Sequence, residues 1–191
     1  SRALAAERDA RRATLAGLEA RFRDGEARLA ALGRDQRAVE ALLAELRDAL
    51  SDIPRQLGDD RPFATRRGQL PLPVAGARVL QRFGSPQPGG QASEGLRFSV
   101  PRGSPVRAVA PGRVAYADWL RGYGLLLILD HGGGWMSLYA NNDALVRGVG
   151  DWVQQGEVLA RAGSSGGQGE PSLYFELRRD GRPVDPRGWW R

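Results

Sequence analysis

The chain has 191 residues, 41% of them hydrophobic, with no cysteine, one histidine and a net charge of +6 carried on its basic side by arginine alone. That length suits one ordinary domain with an appendage, and no apolar run approaches the roughly 20 residues that cross a bilayer. The lack of cysteine excludes disulfides, thiolate metal sites and cysteine nucleophiles; the lack of lysine excludes any lysine-linked cofactor; and the charge favours anionic neighbours, although the interleaved aromatic and basic residues of a nucleic-acid motif are missing.

The first stretch, residues 1–53, is rich in Ala, Leu, Arg and Glu. Its charged, alanine-rich opening does not read as a signal peptide and begins in mid-pattern, as a fragment of a longer chain would. Apolar residues at Leu15, Leu18, Phe22, Leu29, Leu32, Val39, Leu43, Leu46, Leu50 and Ile53 step by threes and fours, with Gly25 and Gln36 at the two skipped positions. This is the seam of a coiled coil. Each seam residue contributes roughly 1.5–3 kcal/mol only when covered. The stripe therefore calls for another chain, an upstream helix or the domain that follows. Gly33 followed by Asp35 reads as a helix stop and restart, which predicts a separate second helix over 35–52. One continuous helix that tolerates the glycine is the alternative. Pro54 ends the pattern, and 54–72 mixes Pro, Gly and charge as a linker does.

From residue 73 to 191 short apolar stretches rich in Val, Leu, Tyr and Trp alternate with glycine turns. This is an all-β pattern, and no intervening helical stretches suggest a parallel α/β sheet. Two fragments mimic a serine esterase: His131-Gly132-Gly133-Gly134 and Gly163-Ser164-Ser165-Gly166-Gly167. That chemistry needs a histidine after the serine, and the one histidine precedes it. Residues 149–159 carry the rhythm of lipoyl and biotinyl domains, which hold their cofactor on lysine. Only the hairpin reading survives here, with glycines making the tight turns.

A resemblance emerges when the pieces are taken in order. Residues 103–109, then Gly112-Arg113-Val114, Tyr123-Gly124 leading into His131-Gly132, and Ser137-Leu138-Tyr139 come first. The hairpin, Gly163-Ser164-Ser165-Gly166 and Leu173-Tyr174-Phe175-Glu176 follow. Together they make 73–191 resemble the LytM, or M23, family of zinc peptidoglycan peptidases. The resemblance implies an all-β domain of lipoyl-like hairpins and antiparallel sheets, preceded by an α-helical coiled-coil arm. In active members the metal is held by the His and Asp of an H-x-G-x-D segment and the second His of an H-x-H segment. The first His of that pair, and one just after the S-L-Y-like strand, serve catalysis. The matching positions here are Ser93 and Arg97, Ser172 and Tyr174, and Asn141. A tetrahedral zinc site needs three protein ligands; serine, arginine and tyrosine supply none at neutral pH, and His131 is not a metal ligand in the family. The implied protein binds no cofactor and is not an enzyme.

Residues 117–120, 163–169 and 171–176 further resemble a subfamily of murein hydrolase activators of Gram-negative bacteria. That resemblance implies a periplasmic protein at the division septum whose LytM domain switches on N-acetylmuramoyl-L-alanine amidases. Its coiled coil would dock to the FtsEX membrane complex. Losing the metal leaves a groove expected to carry Tyr139, Tyr174 and Arg178 on its floor, with Glu94, Arg97, Tyr123 and Leu126 alongside. Strand alternation places Ser172, Tyr174, Glu176 and Arg178 on one face. Tyrosine and arginine dominate interface energetics, although tyrosines, Tyr139 above all, also fill cores. Such a groove suits an amphipathic helix. The stripe Val39, Leu43, Leu46 and Leu50, on a linker long enough to fold back, is placed to occupy the groove first and inhibit it. The rival reading is a non-catalytic module that holds peptidoglycan in the same groove.

Overall fold

A computed structural model describes residues 2–51, 61–87, 90–167 and 169–191. Helix α1 spans Arg2–Leu50 without a break, so the predicted stop at Gly33 and restart at Asp35 do not occur. A mid-helix glycine costs only about 1 kcal/mol relative to alanine, and the flanking Ala, Leu, Arg and Glu residues outweigh it. Asp35 does not cap a helix; it pairs with Arg121 of the β domain at 3.5 Å. Asp52, Ile53 and Pro54, where the pattern was expected to end, lie outside the described residues.

The β domain contains, among the described residues, ten strands: β1 (Arg78–Gln81), β2 (Leu96–Ser99), β3 (Pro105–Arg107), β4 (Gly112–Leu120), β5 (Gly124–Gly132), β6 (Trp135–Leu145), β7 (Trp152–Val153), β8 (Val158–Ala162), β9 (Ser172–Arg179) and β10 (Arg182–Val184). Every strand pair is antiparallel. The main path runs β1-β2-β9-β6-β5-β4-β7, with β10 beside β9 and β8 joining β3 to β6.

The sheet buries both faces. One faces the main core, where Phe98, Leu127, Leu129, Tyr139, Leu173, Phe175 and Leu177 meet. The other carries Leu126, Ile128, Leu138, Ala140 and Tyr174, and α1 lies on it through Val39 and Leu43. This explains why residues 125–129 are an unbroken apolar run: in a strand covered on both sides, neither set of alternating side chains meets water.

The stretch read as a linker over 54–72 is, from Phe63 onward, part of this domain. A 3-10 turn at Phe63–Arg66 places the Phe63 ring against His131 at 4.7 Å and Trp189 at 5.2 Å. Leu70 is buried and joins the C-terminal segment through its N–H to the Trp189 carbonyl at 2.9 Å. The mixed composition hid two anchoring apolar residues.

Candidate functional site

Strands β2 and β9 pair so that Arg97 stands opposite Tyr174 and Ser99 opposite Ser172. The Arg97 guanidinium lies over the Tyr174 ring, 5.2 Å from its centroid, and donates to Ser172 Oγ at 3.0 Å. Ser172 Oγ also accepts from Asn141 Nδ2 at 2.9 Å. Asn141, at φ 70°, is a residue type that tolerates the left-handed region. Its amide reaches the Gly163 carbonyl at 2.9 Å and its Oδ1 accepts from Gly166 N–H at 2.8 Å, pinning β6 to the β8–β9 loop. Arg97, Asn141, Ser172 and Tyr174 thus converge. Ser93 does not join them: it is buried in the turn before β2, where its hydroxyl donates to the Gly95 carbonyl at 3.1 Å.

Below this cluster Tyr174 Oη donates to Glu176 Oε1 at 2.6 Å. Arg178 donates from Nε to Glu176 Oε2 at 2.7 Å and from a terminal nitrogen to Glu94 Oε2 at 2.6 Å. Both Glu176 and Arg178 are buried, at 0% and 1% exposure. Burial pushes the Glu176 carboxyl up, against the Arg178 charge and the hydrogen bonds from Arg178 and Tyr174. Burial also raises the Tyr174 phenol, reinforced by Glu176, so it stays protonated and donates.

These groups do not fit zinc. Arg97 is a cation, Tyr174 holds its proton, and Asn141 and Ser172 are engaged in each other's hydrogen bonds. Among the described residues no group of three or more His, Cys, Asp or Glu is placed to hold a metal. His131 is far from free as well: Nδ1 bonds the Pro111 carbonyl at 2.7 Å and Nε2 bonds Ser137 Oγ at 2.6 Å. Burial lowers its pKa to about 4, despite the Pro111 contact and with Arg66 adding to the effect. The glycines after it form the β5–β6 turn. The esterase-like loop is equally structural, since Ser165 Oγ accepts from Leu125 N–H at 2.9 Å and donates to the Asn142 carbonyl.

Helix α1 covers the groove. Val39 and Leu43 are buried against Tyr123, Leu126, Ile128, Met136, Leu138, Ala140 and Tyr174, with Leu46 and Leu50 partly buried beside them. Polar contacts flank this apolar centre: Asp35 with Arg121 at one end, and Arg47 donating to the Asp180 carbonyl at 3.1 Å at the other. Gly122, at φ 82°, sits under Asp35, where any Cβ would run into the carboxylate. A cavity of about 270 Å³ remains between Asp35 and Gln36 of the helix and Gln81, Arg97, Tyr123, Asn141 and Tyr174 of the domain.

Of the predicted groove residues, Tyr123, Leu126 and Tyr174 line it, Arg97 lies at the cavity, and Glu94 and Arg178 form the salt bridge beside Tyr174. Tyr139 is a correction. It points into the main core, edge-on to Phe175 at 5.4 Å, and its hydroxyl accepts from Val109 N–H at 3.1 Å. The alternation of β6 turns Leu138 and Ala140 to the groove, so Tyr139 must face away. Ile128, Met136, Leu138 and Ala140 were missed. The pairing of Ala140 with Tyr174 is what assigns them, and that register was not legible in the chain.

Residues 91–186 match peptidase family M23, about half the chain and most of the sheet just described. The chain belongs to peptidase family M23. Within this family it is similar to the murein hydrolase activator EnvC of Escherichia coli K12, 36% identical over 94% of this chain and 50% of that protein. It is also similar to the murein hydrolase activator NlpD of Salmonella dublin, 36% identical over 57% of this chain and 28% of the relative. The chain therefore spans half or less of the length of these curated relatives. A zinc-containing peptidase from Vibrio cholerae shares the M23 fold, with a TM-score of 0.58 at 26% identity over 62% of this chain and 39% of that one. The M23 architecture is thus kept, while the donors that converge in this groove are not those of a metal site.

Proposed function

We propose that this M23 chain is a non-catalytic activator of periplasmic N-acetylmuramoyl-L-alanine amidases in septal peptidoglycan splitting. It takes the amidase into the groove of the lost metal site, and α1 keeps that groove closed until FtsEX signals through the coiled coil. One observation carries the reading: an amphipathic helix already fills the groove through Val39 and Leu43, against a wall of Tyr123, Leu126 and Tyr174. A surface that accepts one such helix has the shape and polarity to accept another. The relatives named murein hydrolase activators support the same direction.

The test is dye release from labelled sacculi by candidate amidases, with and without the full chain. The chain alone should release nothing and should accelerate at least one amidase. Sedimentation with sacculi and no effect on any amidase would leave a peptidoglycan-holding module as the better description.

A further inference from the structure

The groove contains two arginines in opposite circumstances. Arg178 is neutralised twice, by Glu176 and Glu94. Arg97 is partly buried, stacked on Tyr174 and bonded to the uncharged Ser172, and no carboxylate among the described residues forms an ion pair with it. A guanidinium withdrawn from water without a counter-charge is unfavourable, and burial lowers its pKa. Its cavity of about 270 Å³ is lined on the α1 side by Asp35 and Gln36. Asp35 is turned to Arg121, and Gln36 meets the cavity with an uncharged amide. The helix that fills the groove therefore leaves Arg97 without its natural complement.

We propose that Arg97 reads a carboxylate on the activated partner: an Asp or Glu side chain on the amidase helix, entering the cavity that Gln36 now lines. This inference rests on the reading of the groove as the amidase site and adds the chemistry that selects the occupant. Val39 and Leu43 show what apolar anchors the groove takes, four residues apart on one helical face. The partner helix presents the same pair with an acid about one turn before the first. The charge-assisted, forked hydrogen bond that guanidinium and carboxylate make is then available to the partner and not to α1. It gives the incoming helix an advantage over the resident one at a site where their apolar contacts are alike. The resident helix stays displaceable because its residue at this point is Gln.

Two readouts on the full chain test this. The first needs no partner. Gln36→Glu supplies the missing acid from α1 itself, and hydrogen exchange over residues 35–50 should slow by roughly tenfold, the scale of a hydrogen bond to a charged group. In an Arg97→Met background the same substitution should give no slowing. An equal effect in both backgrounds overturns the proposal. The second readout is amidase-dependent dye release. Arg97→Met should raise the half-activating concentration roughly tenfold to hundredfold, Arg97→Lys should raise it less, and added salt should weaken the parent more than the methionine variant. Tyr174→Ala separates the two levels of argument. If it abolishes activation while Arg97→Met changes nothing, the groove stands and the carboxylate reading is overturned. If neither changes activation, the groove reading has failed and this inference falls with it. Loss of sacculus sedimentation in Arg97→Met with amidase response intact would assign the carboxylate to a peptidoglycan stem peptide and overturn the proposal.

Discussion

Arg178 does structural work that a surface contact residue would not do. It bridges Glu176 and Glu94 and donates to the Gly181 carbonyl at 2.9 Å, all with its side chain buried. Removing one member of a buried ion pair leaves the other uncompensated and typically costs about 3–5 kcal/mol. Arg178→Met should therefore lower stability by that order in chemical denaturation, and an amidase defect in this variant would not by itself mark a contact. Tyr174→Phe removes only the hydroxyl donated to Glu176 and should cost about 1–3 kcal/mol. His131 belongs to the same scale. Its folded pKa of about 4 lies below the ordinary value of 6.5, so between these values the unfolded chain binds the extra proton. Its contribution to stability is complete above pH 6.5 and is lost as pH falls through 4, on the order of 3 kcal/mol in all. The single histidine resonance should stay in its neutral position at pH 5.5, where a free imidazole would be mostly protonated; a midpoint near 6.5 by NMR would contradict this. The convergence of Arg97, Asn141, Ser172 and Tyr174 was legible in advance, because motif order, read through the family resemblance, singled out these four positions. Tyr139 was not, because which face it takes depends on the phase of β6.

At the level of elements, α1 is one helix whose two halves lie in different surroundings. Leu15, Leu18 and Phe22 of its first half are exposed, whereas Val39 and Leu43 are buried at 0% and 1%. A buried leucine contributes roughly 1.5–3 kcal/mol, and a charge in its place adds desolvation. Leu43→Glu should therefore release α1 from the domain, seen as faster hydrogen exchange over 35–50, and should raise amidase activation at equal concentration. Leu18→Glu should do neither. If Leu43→Glu frees the helix and activation does not rise, α1 is packing and not a brake. The heptad announced that this stripe needs a cover but left three candidate covers open. Tertiary contact with β5, β6 and β9 selected one for the second half. The unbroken helix across Gly33 has a similar origin: a local stop signal of about 1 kcal/mol was set against a long run of good helix formers.

For the molecule as a whole, the metal question joins both scales. Metal analysis of the purified chain should find no stoichiometric zinc, and the chain alone should release no dye from sacculi. One tightly held zinc per chain, lost on replacing Ser172 or Tyr174, would refute the reading. Composition by itself determined much: one histidine and no cysteine leave too few ligands for the family's metal site. Glycine-punctuated apolar stretches indicated an all-β domain, and the order of the motifs carried the resemblance to the M23 family. Periodicity marked the apolar stripe of α1, of which Val39 and Leu43 are covered. What only the tertiary structure decided were the relations between segments distant in sequence. It turned Tyr139 inward, drew Phe63 and Leu70 out of an apparent linker into the core, seated Val39 and Leu43 on Tyr174, and left Arg97 at a cavity where, among the described residues, no carboxylate pairs with it, Asp35 being turned to Arg121. Strand alternation gives two faces but not which one meets the helix; that follows from register across strands, which local sequence does not encode.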